Sequence, residues 1–247
     1  MKTLLVDNSN TRTKFAFVSP GNEWQTKVMP TQDISKVSVE RAVAGWSFER
    51  VCICSVVPQK LPLLVEAFSN VKVEVLKFLP QCGGIDFSSY PGWSTLGMDR
   101  VANVLGAKSL VAAPFVAIDM GTATTLDVVH TGGNGPVFLG GMIAPGMQAM
   151  AHSLQGMTAM LPVADLAMQT PAIGRNTQEA LASAVRYGYP GMIDSLIERI
   201  EAELGCNINV VLTGGDAPQV LPMMRRTCLL EPLLTMRGIA FYQDLLA

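Results

Sequence analysis

Two aspartates close apolar runs and are followed at once by small hydroxyl and amide residues. They are Asp7 in Leu4-Leu5-Val6-Asp7-Asn8-Ser9-Asn10-Thr11 and Asp119 in Val116-Ala117-Ile118-Asp119-Met120-Gly121-Thr122-Ala123-Thr124-Thr125. A strand that stops in Asp and turns through Gly, Ser, Asn and Thr suits a phosphate ligand. Small residues let backbone N–H groups approach an anion, and hydroxyls add donors. The carboxylate can hold a hydrated cation beside those phosphates. The two copies lie about 110 residues apart, which implies two similar lobes with a nucleotide between them.

In the first copy, which runs on through Arg12, Thr13 and Lys14, Asn10 and Thr11 supply donors. Lys14 can reach a phosphate as a point charge if its side of the strand faces the site. The segment also reads as an ordinary Asn-rich hairpin turn, and the second copy is what favours the phosphate reading.

A different constellation is Tyr90-Pro91-Gly92-Trp93-Ser94-Thr95-Leu96-Gly97-Met98-Asp99-Arg100. Gly97 frees the backbone ahead of a helix start, where N–H groups can bind a carboxylate, and Arg100 can clamp one with paired donors. Asp99 can equally be a cap and Arg100 a surface ion pair. Gly140-Gly141 with Pro145-Gly146, and Thr213-Gly214-Gly215-Asp216, are glycine turns after strands. The second of these can let an adenine or ribose approach the backbone. Asn176 or Thr177 reads as an N-cap. His130 and His152 have no partner spacing and read as structural.

These residues need elements to position them. Hydrophobic spacing predicts strands at 3–7 and 13–18, an irregular polar stretch at 20–35, and a short helix at 39–44. A strand at 50–56, a helix at 61–68, a strand at 71–75, a loop at 81–94 and a helix at 99–110 follow. The opening pattern then recurs, with strands at 115–119, 124–130 and 136–139 around a turn at 131–135. A tight-turn segment at 140–146 leads into a helix at 146–155. A helix at 178–204 is expected to break near Gly188-Tyr189-Pro190-Gly191. A strand at 209–212 and a closing helix at 234–246 end the chain. Each half thus reads as a mixed sheet covered by helices, an α/β fold of two similar lobes at 1–109 and 110–247.

Composition narrows the class. The chain has 247 residues, 49 % apolar and only 6 % aromatic, so an aliphatic core is expected and disorder is not. Net charge is −2 and no basic stripe exists, which argues against nucleic acid. No stretch reaches the roughly 18 apolar residues of a membrane span. The N-terminus lacks a signal peptide pattern, so a cytoplasmic location is expected. Cys52, Cys54, Cys82, Cys206 and Cys228 form an odd set that reads as free thiols, with Cys52 and Cys54 on one face of a strand.

Taken in order, several motifs resemble the type III pantothenate kinases. They are Asp7-x-Ser-Asn-Thr-Arg, Ser55-Val-Val-Pro58, Tyr90 seven residues before Gly97-Met-Asp-Arg100, Asp119-x-Gly-Thr-Ala-Thr-Thr125, Gly140-Gly-x-Ile-x-Pro-Gly146, Gly174-x-Asn-Thr177 and Thr213-Gly-Gly-Asp216. That family belongs to the acetate and sugar kinase, Hsc70 and actin superfamily, so the resemblance implies two actin-like (ribonuclease H-like) lobes.

It also implies phosphorylation of pantothenate by ATP with Mg2+, in the first step of coenzyme A synthesis. Asp7, Asn8, Ser9, Asn10, Thr11, Arg12, Thr13 and Lys14 resemble the first phosphate loop, and Thr122 an ATP contact. Asp99 resembles the base, and Tyr90, Gly97, Met98, Asp99 and Arg100 the pantothenate pocket. Asp119 resembles a ligand for K+ or NH4+, and Thr177 a substrate contact from the second subunit of a homodimer. The Met-rich stretch from Met142 to Met168 offers further apolar surface to such a dimer. Two departures stand out. Ser9 occupies a position where the family usually has Gly, and Pro91-Gly92-Trp93 replaces an Asn-Pro. A superfamily kinase with another small acceptor, or a non-catalytic nucleotide-binding regulator, are the alternative readings.

Overall fold

The computed structural model describes residues 2–18 and 23–245. Part of the stretch expected to be irregular (20–22) and Leu246 of the closing helix lie outside the described residues. The chain divides into two compact units. One comprises Met1–Val111, His130–Leu139 and Leu233–Ala247, and the other Ala112–Val129 and Gly140–Pro232. The expected division was 1–109 and 110–247; in this division 130–139 and 233–247 group with the first unit.

The first unit is built on β1 (Thr3–Asn8), whose Leu4, Leu5 and Val6 are buried. It pairs antiparallel with β2 (Arg12–Val18), which pairs antiparallel with β3 (Trp24–Pro30). On its other side β1 runs parallel to β4 (Arg50–Ser55), and β4 parallel to β5 (Lys72–Val75). Parallel neighbours need crossovers, here α1 (Lys36–Ala42) before β4 and α2 (Leu61–Ala67) before β5. The order is β3-β2-β1-β4-β5. Phe15, Val39, Val51, Ile53 and Leu64 close the core on Leu4 and Val6.

Strand β3 corrects the irregular reading of 20–35. It is an edge strand with exposed Gln25, Thr26, Val28 and Pro30, so backbone pairing to β2 defines it rather than apolar alternation. The expected loop at 81–94 holds two short strands, β6 (Gln81–Cys82) and β7 (Ile85–Asp86). It leads to α3 (Met98–Lys108), with Val101, Ala102, Val104 and Leu105 buried.

In the second unit β8 (Phe115–Met120) pairs antiparallel with β9 (Ala123–Gly132). The next strand, β10 (Gly135–Pro145), follows β9 in the sheet. Helices α4 (Met147–His152) and α5 (Thr177–Leu204) precede β11 (Asn209–Thr213), which runs parallel to β8. A short α6 (Ala217–Val220) then leads to β12 (Leu229–Leu230), parallel to β11. The order β10-β9-β8-β11-β12 repeats β3-β2-β1-β4-β5, with β7 and β6 added at the β10 edge.

Two expectations change here. Strand β10 continues through Gly140-Gly141, because a side chain on Gly141 would collide with the Leu126 carbonyl, so glycine there permits close strand approach rather than a turn. Helix α5 is unbroken with Pro190 inside it. Val185, Tyr189, Ile193, Ile197 and Ile200 bury one face, and that packing outweighs the local cost of proline. Within the described residues no helix is long and apolar enough to cross a membrane.

The last helix, α7 (Leu234–Asp244), packs on α3 within the first unit. Two glycines set the approach. A Cβ on Gly106 would strike the Leu234 carbonyl, and one on Gly238 the Ala102 carbonyl. Thr235 Oγ1 donates to Asn103 Oδ1 at 2.8 Å across the same interface. Gly238→Ala should therefore force α7 off α3 and cost on the order of 1–3 kcal/mol, as overpacking does. Chemical denaturation checks this, and a variant within about 0.5 kcal/mol of the parent would contradict the close packing.

Candidate active site

Strand β1 ends in Asp7 and Asn8, both buried, and the chain turns at Ser9, Asn10 and Thr11 into β2. Ser9 fits this turn with every polar group engaged. Its N–H donates to the Arg12 carbonyl at 3.3 Å and its hydroxyl to Asp7 Oδ1 at 2.7 Å, while its carbonyl accepts from Thr31 Oγ1 at 2.6 Å. Asn10, Thr11 and Arg12 are exposed, and Lys14 is half-buried opposite Asp7 across the hairpin.

Asn8 and Thr13, expected among the ligand contacts, have fully buried side chains that bond to one another and to the neighbouring strands. Asn8 Nδ2 donates to Thr13 Oγ1 at 2.9 Å, and Asn8 Oδ1 accepts from Ser55 Oγ at 2.7 Å.

The Ser55-Val56-Val57-Pro58 segment joins this loop to the next part of the site. Val56 N–H donates to the Asn8 carbonyl at 3.1 Å, and Val56 Cγ1 is 3.7 Å from where a Gly97 Cβ would stand. Gly97 caps α3 and Met98 opens it. The Asp99 side chain folds back over Gly97, so that a Cβ there would sit 2.5 Å from Asp99 Oδ1. A side chain at position 97 would displace this carboxylate. Asp99 Oδ1 accepts from the Arg100 N–H at 2.8 Å. Burial pushes the Asp99 carboxyl above its ordinary value, against the opposing pull of the Arg100 N–H and charge.

Cys54, paired with Asp7 in the β1–β4 register, is fully buried. Burial first, then the charges of Asp7 and Asp99, hold its thiol protonated well above the usual range. Cys52 and Cys82 are also buried and raised, to about 12 and about 11.

Tyr90 stands edge-on to Phe138 at 5.2 Å. Its ring lies across Gly92, where a Cβ would come within 3.0 Å of the ring carbon Cε1. Trp93 stacks on Phe78 at 5.2 Å. The Pro91-Gly92-Trp93 departure therefore seats Tyr90 through a missing side chain and adds an aromatic wall.

The second unit builds a matching strand end. Asp119 and Thr213 pair in the β8–β11 register, as Asp7 and Cys54 do in the first unit. The Thr213-Gly214-Gly215-Asp216 turn folds over that end with Gly214 at φ +96°. A Cβ there would meet Asp119 Oδ1 and the Met120 backbone. Asp216 N–H donates to the Met120 carbonyl at 3.0 Å, and Gly146 N–H to the Thr122 carbonyl at 3.3 Å. Thr122 is exposed. Three segments thus meet at the carboxyl end of β8, the end of a parallel strand where α/β sheets hold ligands.

Sequence reading missed two supports. Thr124 Oγ1 shares a 2.6 Å bond with the buried Tyr189 hydroxyl, which ties α5 to this turn. Burial pushes Tyr189 up to about 12, with Asp216 and Asp119 adding to the rise. Thr31 is the other. Neither Tyr189 nor Thr31 lies in a motif read as part of the site. Thr177 opens α5 exposed, and the cap is Asn176, whose side chain accepts from Glu179 N–H at 2.9 Å.

The repeated sheet order, with an Asp-ended central strand and a tight turn in each unit, defines the actin-like fold of the acetate and sugar kinase, Hsc70 and actin superfamily. A solved glucokinase from an Antarctic psychrotroph shares this fold with TM-score 0.53 and 12 % identity, over 98 % of this chain and 99 % of its own. The chain belongs to the type III pantothenate kinases. That family's profile matches residues 3–199. A type III pantothenate kinase of Akkermansia muciniphila is 38 % identical over 97 % of both chains. That of Methylacidiphilum infernorum is 36 % identical over 98 % of this chain and 88 % of its own.

Asp99 carries a pH signature. Its folded value is raised, so the folded state binds the proton more tightly than the unfolded chain. Stability then falls as pH rises from the ordinary value of 3.8 through the raised one. Asp99→Asn removes the buried charge. Its melting temperature should exceed the parent's at about pH 7, and the gap should close below about pH 4. A gap independent of pH would show that Asp99 is not held above its ordinary value.

Proposed function

We propose that Asp99 is the base with which this type III pantothenate kinase takes the proton of the pantothenate primary hydroxyl. The enzyme phosphorylates pantothenate with ATP, the first step of coenzyme A synthesis. The observation that carries the residue assignment is the Asp99 carboxylate. Burial raises its proton affinity, and Val56, which lies beside the Gly97 over which it folds, is hydrogen-bonded to the end of the Asp7 strand. An alcohol is a poor nucleophile at neutral pH. A carboxylate of raised basicity takes its proton as the new oxygen–phosphorus bond forms, while the bond from the γ-phosphorus to the β–γ bridging oxygen breaks and ADP leaves.

Arg100 offers paired donors to the pantothenate carboxylate, and Tyr90, Gly97 and Met98 line the acceptor's path. The turn at Asn10 and Thr11, with Lys14, receives phosphates through backbone N–H groups and one point charge, and Asp7 would orient the hydrated cation that accompanies them. Magnesium bound with ATP neutralises charge on the phosphates. Thr122 offers a hydroxyl to the nucleotide. Asp119, with the carbonyl oxygens around it, is the ligand for a monovalent cation, K+ or NH4+.

The active unit in this reading is a homodimer in which Thr177 reaches the partner's substrate. Two features of the second unit support it. Met157, Met160 and Ile173 are 80 %, 91 % and 82 % exposed. Helix α5 also shows a stripe of small exposed residues at Ala180, Ala184, Gly188, Gly191 and Ser195, which suits close approach by a second helix.

Asp99→Asn should bind pantothenate and lose about 10²–10⁴-fold in kcat, whereas a loss of only a few-fold would remove the base assignment. Asp119→Ala should abolish the response of turnover to added K+, and a parent enzyme indifferent to monovalent cations would remove that role.

Mixing Thr177→Ala with Asp99→Asn tests the shared site. Random subunit exchange makes half the dimers mixed, each with one intact site. Activity should rise toward about a quarter of the parent's on two-fold symmetry. No recovery despite proven exchange, or a fully active monomer, would exclude the shared site.

A further inference from the structure

Thr31 lies 22 residues from Ser9, outside every motif, yet three contacts tie it to the first loop. Its backbone N–H donates to the Thr11 carbonyl at 3.0 Å, its hydroxyl donates to the Ser9 carbonyl at 2.6 Å, and the same hydroxyl meets Thr13 Oγ1 at 2.9 Å. It is 2 % exposed.

The proton positions along this chain of groups can be worked out. A hydroxyl has one proton, and a carbonyl can only accept. Thr31 gives its proton to Ser9, so the Thr13 hydroxyl must donate to Thr31. Thr13 in turn accepts from Asn8 Nδ2, Asn8 Oδ1 accepts from Ser55, and Ser55 Oγ accepts from the Val57 N–H at 3.2 Å. Every bond from Val57 to the Ser9 carbonyl therefore runs in one direction, and Thr31 is its last hydroxyl.

We propose that Thr31 is a positioning residue for nucleotide binding, which sets the Ser9–Asn10 peptide so that its N–H is presented to a phosphate. The inference rests on the reading of Asp7–Lys14 as a phosphate loop. The C=O and N–H of one trans peptide point in opposite directions. Seating the Ser9 carbonyl on buried Thr31 turns the Asn10 N–H away from the interior, at an exposed residue of the turn. The Ser9 hydroxyl, on the same residue, holds Asp7 Oδ1. Thr31 thereby fixes a donor and a carboxylate together without touching the ligand.

The test compares Thr31→Ala with Thr31→Ser in steady-state kinetics, alongside Asp7→Asn. The loss of one neutral hydrogen bond predicts that Thr31→Ala raises the KM for ATP about three- to tenfold. Its kcat and its KM for pantothenate should stay within about twofold of the parent, and Thr31→Ser should return the KM for ATP to the parent value. Equal KM values for ATP in Thr31→Ala and the parent, with Asp7→Asn impaired, would overturn the role of Thr31 alone. An unimpaired Asp7→Asn would overturn the phosphate-loop reading and this inference with it. Equal impairment of the Ala and Ser proteins would assign the effect to packing. Should Thr31→Ala not fold, Thr31→Val keeps the volume and replaces it. Failure of both to fold would make Thr31 a fold residue and overturn the proposal.

Discussion

The first loop depends on one fully buried amide, Asn8. It sits at the end of β1 between an antiparallel neighbour and a parallel one, and it bonds to both. Its nitrogen donates to Thr13 of β2, its side-chain oxygen accepts from Ser55 of β4, and its carbonyl accepts from Val56. A buried amide with unmet groups costs about 1–3 kcal/mol for each, so the three strands have one low-energy arrangement here. That arrangement places Asp7, Ser9 and the Val56 side of Gly97 relative to one another. The loop can then be polar and short without being loose.

The duplication was legible because its signal is local. An apolar run that stops in Asp, followed by small polar residues, appears at Asp7 and at Asp119, and the units share one sheet order. What escaped reading depends on partners far away in the chain. Strand β3 is polar and lies at an edge, so only its pairing with β2 identifies it. Gly140-Gly141 looks like a turn until Leu126 passes beside it. Pro190 looks like a helix stop until the buried face of α5 is counted. Gly106 and Gly238 carry no sequence signal, since each is required by a carbonyl on the other helix.

The site divides in the same way. Gly97 was read as freeing the backbone at a helix start; that the Asp99 carboxylate folds over it depends on a side-chain conformation that only the structure shows. Asn8 and Thr13 were read as ligand contacts because amides and hydroxyls beside a phosphate loop can serve either purpose. Their side chains are buried, and that burial follows from the β2 and β4 neighbours. Thr31 and Tyr189 act through single hydroxyls on distant elements, and nothing near them in the sequence marks them.

The character of Cys54 follows from its burial and from two nearby carboxylates. Burial raises its thiol most, and the charges of Asp7 and Asp99 raise it further. A cationic side chain there would pair with them and draw the Asp99 proton affinity down, which weakens a base. A hydroxyl would offer a strong donor to either carboxylate with the same effect. The thiol does neither. It is a weak donor, burial keeps it neutral, and it fills the space as a small apolar group. Asp99 thus keeps the basicity that burial confers, and Asp7 keeps the Ser9 hydroxyl as a donor.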